Sequence, residues 1–211
     1  MPVKAVFFDV GGTLADETRQ WDEWADFLGV PRLAFFGALG AVIERHEPCR
    51  KVFEMVRPGL SYEEAKRQGG TFGWLTLEDF YPDALPCLKM LRDEGYLLSI
   101  SGNQPAEVEE LLRSLEVRPD VVASSTSWGV EKPDPKFSER IIQETGLEPE
   151  EIAYVGDRLD NDVLPALKAG MQAVFIRCGP WGFVHASWPE VSRATLRLES
   201  LEELPDALRT L

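Results

Sequence analysis

The sequence predicts an α/β protein, a doubly wound and mostly parallel sheet with an α-helical subdomain inserted after its first strand. Three observations lead there. From Tyr81 onward, short apolar runs bounded by Gly, Pro, Asn or Asp alternate with amphipathic stretches, the pattern of repeated βα units joined by right-handed crossovers. An isolated apolar run, Val6 to Phe8, precedes them by a long interval without a convincing strand. The chain has 211 residues, enough for one larger core with a smaller inserted domain. The expected division is a core of 1–15 and 84–211 and a helical subdomain of 16–83.

Val6, Phe7 and Phe8 suit a strand buried on both faces of a parallel sheet, which places Asp9 at its carboxyl end. Gly11 and Gly12 then permit a tight turn. In the insert, Trp21, Trp24, Phe27 and Leu28, and then Leu33, Phe36, Leu39 and Ile43, recur at helical spacing,. Pro48, Arg57-Pro58-Gly59 and Gly69-Gly70 divide the insert into short helices, and Ser61 with Glu64 predicts a capping box.

Asp83 is expected to cap a helix through Leu85, Leu88 and Leu91 that ends at Gly95. Strands follow at 97–101, 121–123, 152–155, 173–176 and 195–198. A helix containing Val108, Leu111, Leu112 and Leu115 follows the second strand. Asp134-Pro135 starts another that runs to about Gly146. A third is predicted over 160–169, stopped by Gly170, and a last helix closes the chain. No internal repeat or low-complexity segment is present.

Composition narrows the function. With 22 basic and 36 acidic residues the formal net charge is -14, which argues against nucleic acid or an anionic membrane as the main partner. The three cysteines, Cys49, Cys87 and Cys178, form no CxxC pair and predict neither a disulfide framework nor a zinc site. Neither a signal peptide nor an apolar run approaching the ~20 residues of a membrane span is read, so a cytoplasmic setting is expected. His46 and His185 lack a second histidine at metal-ligand spacing and read as surface or satisfied core residues.

Candidate chemistry gathers at the strand ends. Asp9 follows the first strand, Ser101 to Asn103 the second, Lys132 lies in SWGVEKPDP, and GDRLDND, with Asp157 and Asp162, follows the fourth strand. One edge of a parallel sheet would bring these together. Several carboxylates with one lysine suit a hard cation such as Mg2+ held with a phosphate. A carboxylate nucleophile could then form an acyl phosphate that water cleaves.

FFDVGGTL, ISGNQ, VEKPDPKF and YVGDRLDNDV, in this order and separation, resemble the four motifs of the haloacid dehalogenase-like hydrolases. The resemblance covers the whole chain, including a helical insert of the kind that family uses as a mobile cap. It implies a Rossmann-like core and Mg-dependent hydrolysis of a small-molecule phosphate monoester through an aspartyl-phosphate. Carried across by position, Asp9 is the nucleophile and a metal ligand, and the Gly11 carbonyl binds the metal. Lys132 contacts nucleophile and phosphoryl group, and Asp157 and Asp162 complete the metal site. Thr13, Ser101, Gly102 and Asn103 are the candidates for holding the substrate, a small phosphorylated metabolite.

Two departures from the family pattern matter. Gly11 stands where the phosphatases carry a second Asp that acts as general acid, so hydrolysis is expected to be slower by up to ~10²- to 10⁴-fold. Asp16 is a candidate replacement. In the second motif Gly102 takes the place of the Ser or Thr before Asn103, and Ser101 falls one residue early. Two alternatives follow from these glycines: a 2-haloacid dehalogenase, which needs no leaving-group acid, or a low-turnover phosphate- or metabolite-binding protein.

Overall fold

In a computed structural model, which describes residues 2–69 and 75–211, the chain forms two compact units. One comprises 1–16 with 75–211, the other 17–74. The elements in order are β1 (Ala5–Phe8), α1 (Thr18–Leu28), α2 (Arg32–Glu44), α3 (Lys51–Val56), α4 (Tyr62–Arg67), α5 (Ala84–Asp93), β2 (Leu97–Gly102), α6 (Val108–Arg113) and β3 (Val121–Ser124). They continue with α7 (Ser125–Trp128), α8 (Pro135–Thr145), β4 (Ile152–Gly156), α9 (Leu164–Lys168), β5 (Gln172–Ile176), α10 (Gly179–His185), β6 (Leu196–Leu198) and α11 (Leu204–Leu208).

The larger unit is a Rossmann-like α/β fold. Its six strands are ordered β3-β2-β1-β4-β5-β6, and every neighbouring pair is parallel. Alternation along β1 explains its unbroken apolar run, because each face has its own core. Val6 and Phe8 join Leu88, Leu91, Leu112, Leu204 and others on one side. Ala5 and Phe7 join Phe137, Ile141, Tyr154 and Val163 on the other. Strand order reverses at β1 and β4, the topological switch point where ligands bind in open α/β sheets.

Several local expectations are corrected. Asp83 makes no cap bond to α5; its Oδ2 accepts from the Leu201 N–H at 2.9 Å, tying α5 to the C-terminal segment. The helix expected over 160–169 opens as a π-helical turn, Leu159–Val163, before α9 begins. Residues 75–80 group with the sheet-bearing unit, since Leu75 and Phe80 are buried in its core. A short helix, α10, occupies a stretch where none was predicted.

In the helical unit, Trp24 packs edge-on to Phe53 at 4.5 Å, and Tyr62 lies 5.2 Å from Phe53. The inward face of α2 is Phe35, Leu39, Val42 and Ile43: Leu39 and Ile43 are buried as expected, Phe36 is half-buried, and Leu33 is 87% exposed. Ser61 Oγ accepts from the Glu64 N–H at 3.2 Å, but the Glu64 carboxylate turns to Arg67 and Gln68, so the box is half formed. Of the Gly69-Gly70 pair, Gly70 lies outside the described residues. Among the described residues no single helix is long and apolar enough to cross a membrane.

Candidate active site

Asp9 emerges from β1 with its N–H donating to the Val155 carbonyl at 2.9 Å, so the β-ladder to β4 holds its backbone. The loop after it is compact. The N–H groups of Leu14 and Ala15 both donate to the Val10 carbonyl at 2.9 Å, and the Gly12 N–H donates to the Ala15 carbonyl at 2.8 Å. Gly12 has φ +69°, and a Cβ there would stand 2.4 Å from Asp157 Oδ2. Only glycine fits both the backbone conformation and the space.

Lys132 is 5% exposed and its ammonium donates to three acceptors. These are Asp9 Oδ1 at 2.8 Å, Asp162 Oδ1 at 2.6 Å and the Tyr154 hydroxyl at 3.0 Å. Asp162 Oδ2 accepts from the Arg158 N–H at 3.0 Å, which turns the π-helical segment back on itself. Burial pushes the Asp162 carboxyl up to about 6, with Lys132 opposing and Asp9 adding to the rise. Burial disfavours the Lys132 charge, but Asp162 and Asp9 outweigh it and hold the ammonium well above the usual lysine range.

Carboxylate oxygens of Asp9, Asp157 and Asp162 all lie within 4.8 Å of one another, and all three residues are buried. Three buried carboxylates face the Lys132 ammonium, and the nearby Arg158 guanidinium, which also feels Asp157 and Asp162, is bound to Asp160. Buried charge of that kind needs compensation. A hard, oxygen-seeking divalent cation such as Mg2+ fits this donor set. Gly156 and Gly179 provide the room: a Cβ on the first would meet Asp162 Oδ2 at 2.3 Å, and on the second the Gly12 Cα at 2.8 Å.

Asp9, Lys132, Asp157 and Asp162 are therefore brought together, and Gly11 forms a bridge to Ala15 in the loop that follows Asp9. The expected substrate-holding residues make contacts within the same site. Thr13 is fully buried and its Oγ1 accepts from the Asp157 N–H at 3.2 Å, which holds the Asp157 backbone. The Asn103 amide closes on Lys132 from both sides, accepting from its N–H at 2.8 Å and donating to its carbonyl at 2.9 Å. Ser101 lies within β2 with its Oγ fully buried. At Gly102 a Cβ would meet Asp9 Oδ1 at 2.4 Å, so the glycine makes room for the Asp9 carboxylate. Asp16 is exposed, with its N–H donating to the Asp79 carbonyl. Asp160 pairs with Arg158 at 2.6 Å; burial raises its carboxyl, and the Arg158 bonds outweigh this to leave it lowered.

Three contributors escaped the sequence: Tyr154, Gly179 and His185. His185 is 1% exposed, the core alternative of its surface-or-core reading. Its Nδ1 accepts from the Leu159 N–H at 3.0 Å, at the first turn of the π-helical segment, and its ring lies 4.0 Å from that of Trp188. His185→Phe keeps a ring but removes the acceptor. An unpaired buried N–H costs ~1–3 kcal/mol, so Tm is expected to fall by roughly 2 to 12 °C. An unchanged melting curve would deny His185 this anchoring part.

A profile of the haloacid dehalogenase-like hydrolases matches residues 3–170. Among curated proteins, a glyceraldehyde 3-phosphate phosphatase of Methanopyrus kandleri is 41% identical over 48% of this chain and 45% of its own length. A second, of Pyrococcus furiosus, is 32% identical over 99% of this chain and 93% of its own. A solved structure of a HAD phosphatase from Thermococcus onnurineus superposes with a TM-score of 0.62 at 29% identity, covering 98% of each chain.

Proposed function

The chain belongs to the haloacid dehalogenase-like hydrolase family, and on that premise we propose that it is a Mg2+-dependent phosphatase. It hydrolyses a small phosphate monoester through an aspartyl-phosphate on Asp9. The observation that carries this is the buried Asp9–Lys132–Asp162 constellation with Asp157 beside it. The Asp9 carboxylate attacks phosphorus, and the ester oxygen departs with the bonding electrons. Water then cleaves the acyl phosphate and restores the carboxylate. Lys132 holds the Asp9 carboxylate in place and offsets charge on the phosphoryl oxygens.

Asp9, Asp157, Asp162 and the Gly11 carbonyl would hold the cation, which supplies charge neutralisation at the transferring oxygens. The helical unit takes the part of the cap. Gly11 offers no proton to the leaving oxygen, which keeps turnover of alkyl esters modest. A dehalogenase has no need of a cation, whereas Asp9, Asp157 and Asp162 gather three carboxylates as an oxygen donor set for one,. The phosphatase is favoured on that ground.

The test is phosphate release from glyceraldehyde 3-phosphate, the compound for which the two relatives are named, and from an aryl phosphate. Activity with Mg2+ is expected to vanish in EDTA and in Asp9→Asn. Undiminished release by Asp9→Asn would sink the nucleophile assignment. Chloride release from a 2-chloro acid in EDTA, with no phosphate release, would establish the dehalogenase instead. Tight phosphate-ester binding without any turnover would favour a binding protein.

A further inference from the structure

We infer that Tyr154 is a positioning residue that fixes the Lys132 ammonium between Asp9 and Asp162, with the main chain of β2 as its anchor. Resting on the proposed role of Lys132, this adds a member to the site from the middle of β4, where the sequence offers only a strand residue.

Tyr154 is 2% exposed, and a buried phenol needs partners. Its hydroxyl accepts from Lys132 Nζ at 3.0 Å and donates to the Ser101 carbonyl at 2.8 Å. Burial keeps the phenol protonated, far above the usual tyrosine range, so it has a proton to give that carbonyl. Strands β2 and β4 flank β1, and the last β1–β2 pair is Phe8 with Ile100. The Ser101 carbonyl therefore lies past the end of that ladder, and the Tyr154 side chain crosses the end of β1 to reach it.

An ammonium has three N–H donors, and Asp9, Asp162 and Tyr154 take all three. Lysine carries its charge on a flexible four-carbon stem, and two carboxylates alone leave it free to swing about the line between them. A third acceptor fixed to the sheet removes that freedom. Because the phenol is neutral, it does so without adding to the negative charge already facing the ammonium. The 5.3 Å from Nζ to the Tyr154 ring centroid belongs to this same hydroxyl contact, so the oxygen and not the ring face is the hold.

Tyr154→Phe removes the oxygen and keeps the ring. The expected result, with Mg2+ and an aryl phosphate, is kcat lower by about tenfold, the effect of one well-placed hydrogen bond, with KM within about twofold. In a Lys132→Met background the same substitution should have no further effect on the residual rate, because Tyr154 acts through that lysine. A kcat within about twofold of the parent, or an equal penalty in both backgrounds, would overturn the inference. Parent-level activity in Lys132→Met would instead remove the proposed role of Lys132, and this inference with it. The split between kcat and KM in the single variant decides the question even where Lys132→Met is too unstable to assay.

Discussion

Gly12→Ala is expected to cut phosphatase activity by about 10²-fold or more, the scale of loss when reacting groups are misplaced by ~1 Å. The residue has φ +69°, and an added Cβ would lie 2.4 Å from Asp157 Oδ2. The left-handed backbone alone costs ~1–2 kcal/mol for a non-glycine residue. The steric conflict matters more, because Asp157 is fully buried and the Cβ direction of Gly179 already points at the Gly12 Cα at 2.8 Å. Relief therefore requires the Asp157 carboxylate to turn, and Mg2+ affinity measured by calorimetry should fall with activity. Gly95→Ala is the control: φ is +88° with open space around it, so it should lose stability and keep its kcat. Equal kcat in the two variants would refute the steric account.

Lys132→Met is expected to be the most destabilising single change at the site. It leaves Asp9 and Asp162 facing each other without the ammonium that pairs with both. Breaking a buried ion pair from one side costs about 3–5 kcal/mol, which corresponds to a fall in Tm of roughly 6 to 20 °C. Mg2+ should then raise Tm by more in the variant than in the parent, because it restores positive charge that Lys132 supplied to Asp9 and Asp162. Thermal melts with and without Mg2+ read both effects. A metal-free Tm within about 2 °C of the parent, well under that range, would show that the carboxylates are compensated by something other than Lys132.

The residues that each signal through one property are those legible in the chain. Apolar runs locate the strands because a parallel sheet buries both faces, so Val6, Phe7 and Phe8 had to be apolar whatever else they touched. Asp9, Lys132, Asp157 and Asp162 could be singled out because each follows or flanks such a run, and a parallel sheet carries all strand ends to one edge. The structure does bring them together. On α2 Leu39 and Ile43 were legible, whereas Phe35 and Phe36 are equally apolar and only packing chooses between them.

Asn103, Thr13 and Tyr154 illustrate the remainder. Amide, hydroxyl and phenol can each serve as substrate contact, cap or internal brace, and spacing along the chain does not distinguish these uses. Asn103 braces the Lys132 backbone 29 residues away, Thr13 the Asp157 backbone 144 residues away, and Tyr154 the Ser101 carbonyl 53 residues away. Gly12 reads in sequence as a turn residue, Gly102 as a substrate-holding candidate and Gly179 carries no signal, yet the first two abut acidic side chains and the third abuts Gly12. Fold class, strand ends and the acidic and basic groups are local facts of composition and periodicity, and the chain carries them openly. Which polar side chain meets which is a matter of directions in three dimensions, set only when the sheet has closed and hydrogen bonds of about 3 Å have selected one partner among several chemically equivalent ones.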